Sequence, residues 1–286
     1  MSANNPLNTK IKLVVLLILW AAVFIPVYPG LIHTWLNHSN NSHGLLVPLL
    51  SLYFVWQKKD KLRLVTISNS NWGAGILIIS MVLYLLSYAG AVTVISRAMI
   101  VCSLIGLVLF TLGTPFFKLL SFPLFFLFFM VPVPDSIVGI VALPLQLFAT
   151  KISAFIITVL SIPVYQEGNM LYFARTQLEV AEACSGIRSI MALTMLSVIF
   201  VYLIDRRGWI PKAILIASAI PLALVANIIR VTGTGFLAHF YGERIARGFL
   251  HEFSGLAVFA FGFILLFLEY SLLNKVSTKK RAVSSG

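Results

Sequence analysis

The sequence predicts an all-α polytopic membrane protein, and three observations carry that prediction. Of 286 residues, 59% are hydrophobic and only 10% charged, against about 45–50% and about 25% in ordinary soluble domains. A soluble fold of this size has no room to hide so much apolar surface. The apolar residues also come in runs, at 11–32, 45–57, 72–90, 92–113, 116–133, 187–204, 212–234 and 253–274. A spanning helix needs roughly 17–25 such residues, so about eight spans are expected. The third observation is the placement of charge. With a cytoplasmic N-terminus and eight alternating spans, Lys10, Lys12, Lys58, Lys59, Lys61, Arg63, Lys118, Arg206, Arg207, Lys212, Lys275, Lys279, Lys280 and Arg281 fall inside. The other seven of the 21 basic residues fall outside or within spans. That two-to-one bias is what the positive-inside rule expects.

The elements follow in order. The N-terminal run is longer than a signal core, lacks a small-x-small cleavage site and is followed by more spans, so it reads as a retained first helix. The run at 45–57 is short and holds Pro48. Segment 136–165 is apolar, but Pro144 and Pro163 interrupt it and Lys151 sits at its centre, so a surface-lying or re-entrant helix is expected. A full span there would turn Asp205–Lys212 and the Lys279–Arg281 tail outward. The polar stretch Gln166–Ser185 alternates in part, as in Gln177-Leu178-Glu179-Val180. A short outer-face hairpin turning near Ala174–Thr176 is expected; the alternative is a helix carrying Glu179 and Glu182 on one face. No repeat or soluble linker is visible, so residues 1–286 read as a single integral membrane domain.

Composition and charge also exclude functions. The formal charge of +12 is mostly topological, which leaves no basis for nucleic-acid binding. Cys102 and Cys184 are the two cysteines, too few for a disulfide scaffold. All five histidines, His33, His38, His43, His239 and His251, fall at or near the outer face. So do Asp135, Glu167, Glu179, Glu182, Glu243 and Glu252. The cytoplasmic loops are short and basic. An active site is therefore expected to face outward.

Helix depth links three distant residues. Cys184 to Asp205 is about 31 Å at 1.5 Å per residue, Lys212 to Arg230 roughly 27 Å, and His251 to Lys275 about 36 Å. Against a hydrocarbon core of about 30 Å, Cys184, Arg230 and His251 reach similar outer depth from three successive helices. Cys184 stands at a helix start, where the dipole favours thiolate, with Arg188 one turn on. Arg230, in Val225-Ala226-Asn227-Ile228-Ile229-Arg230-Val231-Thr232-Gly233, is costly in a membrane unless partnered or functional. Glu252 and Ser254 just after His251 suit an oriented imidazole. The three supply a nucleophile, a base and a cationic stabiliser. Cys102, deep in an apolar run, reads as a small buried residue. One cysteine among scattered histidines shows no metal-ligand spacing, so neither metal nor other cofactor is expected.

The blocks Ala183-Cys184-Ser185-Gly186-Ile187-Arg188, Asn227-Ile228-Ile229-Arg230 and His251-Glu252-Phe253-Ser254-Gly255 resemble those of the exosortase/archaeosortase family. Ser42-His43-Gly44 with Pro48, Pro132-Val133-Pro134, Pro144-Leu145-Gln146 and the Ile162–Gly168 run add to the likeness, which covers about residues 40–270. The resemblance implies a membrane-embedded cysteine protease or transpeptidase, analogous in role to sortase on an unrelated fold. Its substrates would be exported, membrane-anchored proteins ending in a Pro-Glu-Pro-type sorting signal, a transmembrane helix and a basic tail. It also implies an inner-membrane location and a link to exopolysaccharide machinery. Carried over by position, Cys184 is the nucleophile, Arg230 the transition-state stabiliser and His251 the general acid/base. Arg188 and His43 match family blocks, and with Glu182 and Asn227 they make up the supporting and substrate-binding set.

Two other functions compete. A transporter would line a path with Arg, His and acidic residues, but these gather on one side and no inverted repeat is visible. A non-catalytic subunit of a polysaccharide export machine would tolerate loss of Cys184.

Overall fold

The computed structural model describes residues 6–174, 176–180, 187–203, 208–242, 257 and 259–274. The chain divides into two compact units, Met1–Pro134 and Asp135–Gly286.

In the first unit, α1 (Pro6–Val23) and α2 (Tyr28–Asn37) meet at a 71° bend. The single span expected over 11–32 is thus two helices. Pro26 lacks an N–H and its ring would collide with the Ala22 carbonyl, and Pro29 starts the new helix where its fixed φ fits. The corner is filled by Phe24, whose ring lies 4.6 Å from that of Tyr84, while the Tyr84 hydroxyl donates to the Val23 carbonyl. A 3-10 turn (Ser39–Leu45) leads to α3 (Leu46–Gln57), which is only about 18 Å long and is followed by α4 (Lys59–Leu64).

The two helices α5 (Asn71–Ala89) and α6 (Thr93–Thr111) form a hairpin joined by Gly90–Val92. Small residues let their backbones approach, as membrane helix pairs require. A Cβ on Gly73 would stand 2.2 Å from the Phe110 nitrogen, and one on Gly106 would stand 2.6 Å from the Leu77 nitrogen. Buried hydroxyls tie the helices: Ser87 and Ser96 are 3.0 Å apart across the seam, and the Trp20 indole of α1 donates to Ser103 of α6 across 2.8 Å. Then α7 (Thr114–Phe126) runs into a 3-10 turn (Leu127–Met130), and Ser51 of α3 donates to the Pro123 carbonyl inside it.

The second unit opens with α8 (Asp135–Val159), which continues through Pro144 without a break. The interruption expected there does not occur, because a proline forfeits one backbone bond and a membrane helix tolerates it when neighbours compensate. The helix does end before Pro163, at Val159, and Ser161 in the turn beyond it has φ +63°. Three strands follow, β1 (Val164–Glu167), β2 (Met170–Phe173) and β3 (Gln177–Glu179), paired antiparallel in that order. The expected hairpin is the β2–β3 pair, with Leu171 opposite Leu178. The reading missed β1, which joins β2 through Gly168 in the left-handed region at φ +58°. Glu179 is therefore a strand residue, and the shared helix face with Glu182 falls away.

Next come α9 (Ile187–Leu203), α10 (Trp209–Tyr241) and α11 (Phe259–Asn274). Two small apolar clusters pack them: Leu193 with Ala219 and Ala223, and Phe200 and Val201 with Leu215 and Leu266. Ser218 of α10 donates to the Glu269 carboxylate of α11 at 2.5 Å. Among the described residues, four helices (71–89, 93–111, 136–159 and 209–241) are long and apolar enough to cross a membrane. The bent α1–α2 pair makes a fifth, and three shorter apolar helices accompany them. The protein is an all-α polytopic membrane fold, with a small sheet set into its second unit.

Candidate active site

The site is built on α10. Its 33 residues make a rod about 50 Å long, some 20 Å more than a bilayer core needs, and longer than the 212–234 expected. The last turns hold the sheet. Val231 joins Ala154 and Ile157 of α8 with Leu171, Phe173, Leu178 and Val180 in one apolar cluster. Gly235 is the contact point: a Cβ there would meet Ile157 at 2.8 Å and Phe173 at 3.3 Å. One turn further, His239 lies 6.0 Å from the Phe173 ring.

Asn227 and Arg230 occupy the turn just before this platform. Asn227 is fully buried, one turn beyond Ala223, whose small side chain admits Leu193 of α9. Burial of an amide there is costly unless it is bonded. Arg230 is half-buried, one turn nearer the sheet. Because Leu193 meets Ala219 and Ala223 while Ser197 donates to the Leu215 carbonyl, α9 and α10 run antiparallel. Extending that register brings Ile187 about level with Asn227. Arg188, in the first turn of α9, is exposed.

On the opposite side α8 presents a polar stripe. Gln146, Thr150 and Ser153 are all buried, at 6%, 0% and 0% exposure, and recur at helical spacing i, i+4, i+7. Ser153 donates to the Ile228 carbonyl of α10 at 3.2 Å. Gln146 sends its amide to the Val180 carbonyl, and Asn169 donates to the same oxygen at 3.3 Å. The Val180 N–H in turn donates to the Asn169 carbonyl at 2.9 Å. The end of β3 is thus held from two sides, four residues before Cys184 in the sequence.

Cys184, Glu182 and His251 lie outside the described residues. His43 is half-buried in the 3-10 turn of the first unit. The glycine after it has a reason: a Cβ on Gly44 would come within 2.3 Å of the Trp35 indole, which donates to the Met130 carbonyl at 2.9 Å. Cys102 is a free thiol, half-buried rather than fully buried. Among the described residues no three His, Cys, Asp or Glu side chains are grouped to hold a metal. Sequence reasoning passed over Gln146 and Asn169. The signal was present for Gln146, since a Gln-x-x-x-Thr-x-x-Ser stripe in an apolar helix is a buried polar face by spacing alone.

The fold and these residues define a polytopic membrane protein that mounts a small sheet and a paired Asn–Arg turn on one long helix. The family model for transmembrane exosortases matches residues 35–268, most of the chain, and the protein belongs to that family. This is a family of proteases and transpeptidases. No curated protein and no solved structure matches the chain.

Proposed function

We propose that this exosortase is a cysteine transpeptidase or protease. On this reading it cuts the C-terminal sorting tail of exported, membrane-anchored proteins, a Pro-Glu-Pro-type signal followed by a transmembrane helix and a basic cluster. It works as one membrane domain in the inner membrane, with both termini cytoplasmic, the site facing outward and exopolysaccharide production alongside. The observation that carries the reading is the shared core of Val180 and Val231. The residue that leads to Cys184 and the residue next to Arg230 are packed in one cluster, so the two functional segments start from a common anchor.

In this mechanism the Cys184 thiolate attacks the scissile carbonyl carbon and the carbonyl oxygen becomes an oxyanion. Arg230 stabilises it through a rigid planar fork of donors in a low-dielectric setting. His251 gives a proton to the leaving amine as the C–N bond breaks, which leaves an acyl-thioester on Cys184. An incoming amine or water then loses a proton to His251, attacks the thioester and releases the thiolate. Asn227, Arg188, Glu182 and His43 support or bind the substrate.

The test is co-expression with a reporter carrying a Pro-Glu-Pro tail. Shortening of the reporter by the native chain, lost in Cys184→Ala at matched membrane levels, is expected. A reporter shortened equally by Cys184→Ala would overturn the reading.

A further inference from the structure

The first unit holds a cavity that the catalytic reading does not use. It has a volume of about 260 Å³ and opens where the α1–α2 corner meets the start of α6, bounded by Pro26, Gly30, Tyr88, Thr93, Ser96 and Arg97. Among the described residues that line it, Arg97 alone is charged. One arm of that guanidinium, Nη2, donates to the Gly30 carbonyl at 3.1 Å and to Thr34 Oγ1 at 3.2 Å. Among the described residues the other donors of Arg97 meet no acceptor, and no carboxylate pairs with it.

Depth decides what such a site meets. Thr93 begins α6, so Arg97 is one turn in, about 6 Å along the axis. With α6 crossing the bilayer, that is the level where headgroups give way to acyl chains. Around the opening Ile25, Val92 and Ile95 are exposed, as lipid-facing residues are. A half-buried cation at this level, with no carboxylate beside it among the described residues, is matched by an anion from outside. The surroundings offer a phosphate ester attached to an apolar body.

We propose that Arg97 and its cavity bind the phosphate diester of one membrane phospholipid. Nε and Nη1 donate to the phosphate oxygens, and the glycerol and upper acyl segment lie along Pro26 and Tyr88. The Nη2 bonds to Gly30 and Thr34 hold the guanidinium in place, so it is pre-oriented before the lipid arrives. A phosphate accepts such paired, charge-assisted bonds well.

The experiment uses the purified full chain, delipidated in detergent and titrated with dioctanoyl phosphatidylglycerol, with bound lipid counted by native mass spectrometry. One tightly bound lipid per chain is expected, weakened at least tenfold by Arg97→Gln. Thr93→Trp keeps Arg97 and its two helix bonds but fills the exposed rim, and it should weaken binding similarly. Arg63→Gln, a charge loss elsewhere in the same unit, should leave it unchanged. Dioctanoylglycerol, which lacks the phosphate, should bind at least tenfold more weakly, and inorganic phosphate should neither bind nor compete at millimolar concentration. Equal lipid binding by the native chain and Thr93→Trp would show that Arg97 only staples α6 to the corner and would overturn the proposal. Equal binding of the neutral lipid, or tight binding of inorganic phosphate, would overturn it as well.

Discussion

The two units solve the same packing problem with different materials. In the first, the α5–α6 hairpin closes on glycine and serine: Gly73 and Gly106 allow backbone contact, and Ser87 bonds Ser96. In the second, amides and a sheet take over. Gln146 and Asn169 grip the Val180 carbonyl, Asn227 is fully buried, and the apolar cluster mixes strand and helix. A serine hydroxyl can satisfy itself against its own local backbone, as Ser96 does by donating to the Val92 carbonyl. An amide carries two donors and an acceptor and commits to one partner geometry. Small hydroxyls give close packing with little directional demand, whereas amides fix the position of a chain segment. On the proposed reading, the first unit serves stable insertion and the second the placement of a reacting group.

Predictions follow from that contrast, beginning with the largest effect. Cys184→Ala and Cys184→Ser should abolish tail cleavage while the protein still inserts, and Cys102→Ala, in the first unit, should cleave normally. Similar behaviour by the two positions, read by blot of the shortened reporter, would erase the distinction. Arg230→Lys should lower the cleavage rate by about 10²–10³, the typical effect of one oxyanion donor, and His251→Ala by at least as much. Near-normal cleavage by Arg230→Lys would reduce Arg230 to a headgroup anchor and move attention to Arg188.

A smaller effect sharpens the comparison further. Gln146→Leu leaves the Val180 carbonyl with Asn169 as its remaining side-chain donor. A buried group that loses a partner costs about 1–3 kcal/mol, so cleavage should fall roughly tenfold. The conservative Gln146→Glu should rescue only where its carboxyl is protonated, giving a pH dependence that simple loss of packing would not. In the first unit, Gly106→Leu should reduce the amount of folded protein, with the surviving fraction cleaving at the native rate. Smallest of all, Ser96→Ala should cost only about 0.6 kcal/mol, the average for a membrane side-chain hydrogen bond, measured by unfolding in mixed detergent. An activity loss larger than the stability loss at Ser96 would contradict the division of labour.

Much of this was legible in the sequence, for reasons that differ by region. Apolar runs marked α5 and α6 within a few residues because length and hydropathy alone determine a spanning helix. The β2–β3 turn was visible because Gln177-Leu178-Glu179-Val180 alternates with period two. What stayed hidden depended on partners. The fate of a proline inside an apolar run differs between Pro26, which ends a helix, and Pro144, which does not, and local sequence alone does not separate them. The α1–α2 corner needed the pocket for Phe24 beside Tyr84. Among site residues, Asn227 and Arg230 stood out as polar groups in an apolar helix, and Gln146 was equally polar but was read only as part of a proline block. Asn169 sits in a turn, where asparagine is unremarkable, so its grip on Val180 is a tertiary fact with no local signature.

The core that seats Val180 has a consequence for biogenesis. It is completed by Val231 and Gly235, which leave the ribosome about fifty residues after the strand they support. At synthesis rates of roughly 5–20 residues per second, the sheet waits about 3–10 s for the helix that covers it. The α5–α6 hairpin of the first unit has no such dependence, because it closes on neighbours already made. The strand that precedes Cys184 in the sequence therefore reaches its anchor only after α10 has been translated, so a ribosome stalled before α10 would leave an inserted protein with its sheet uncovered.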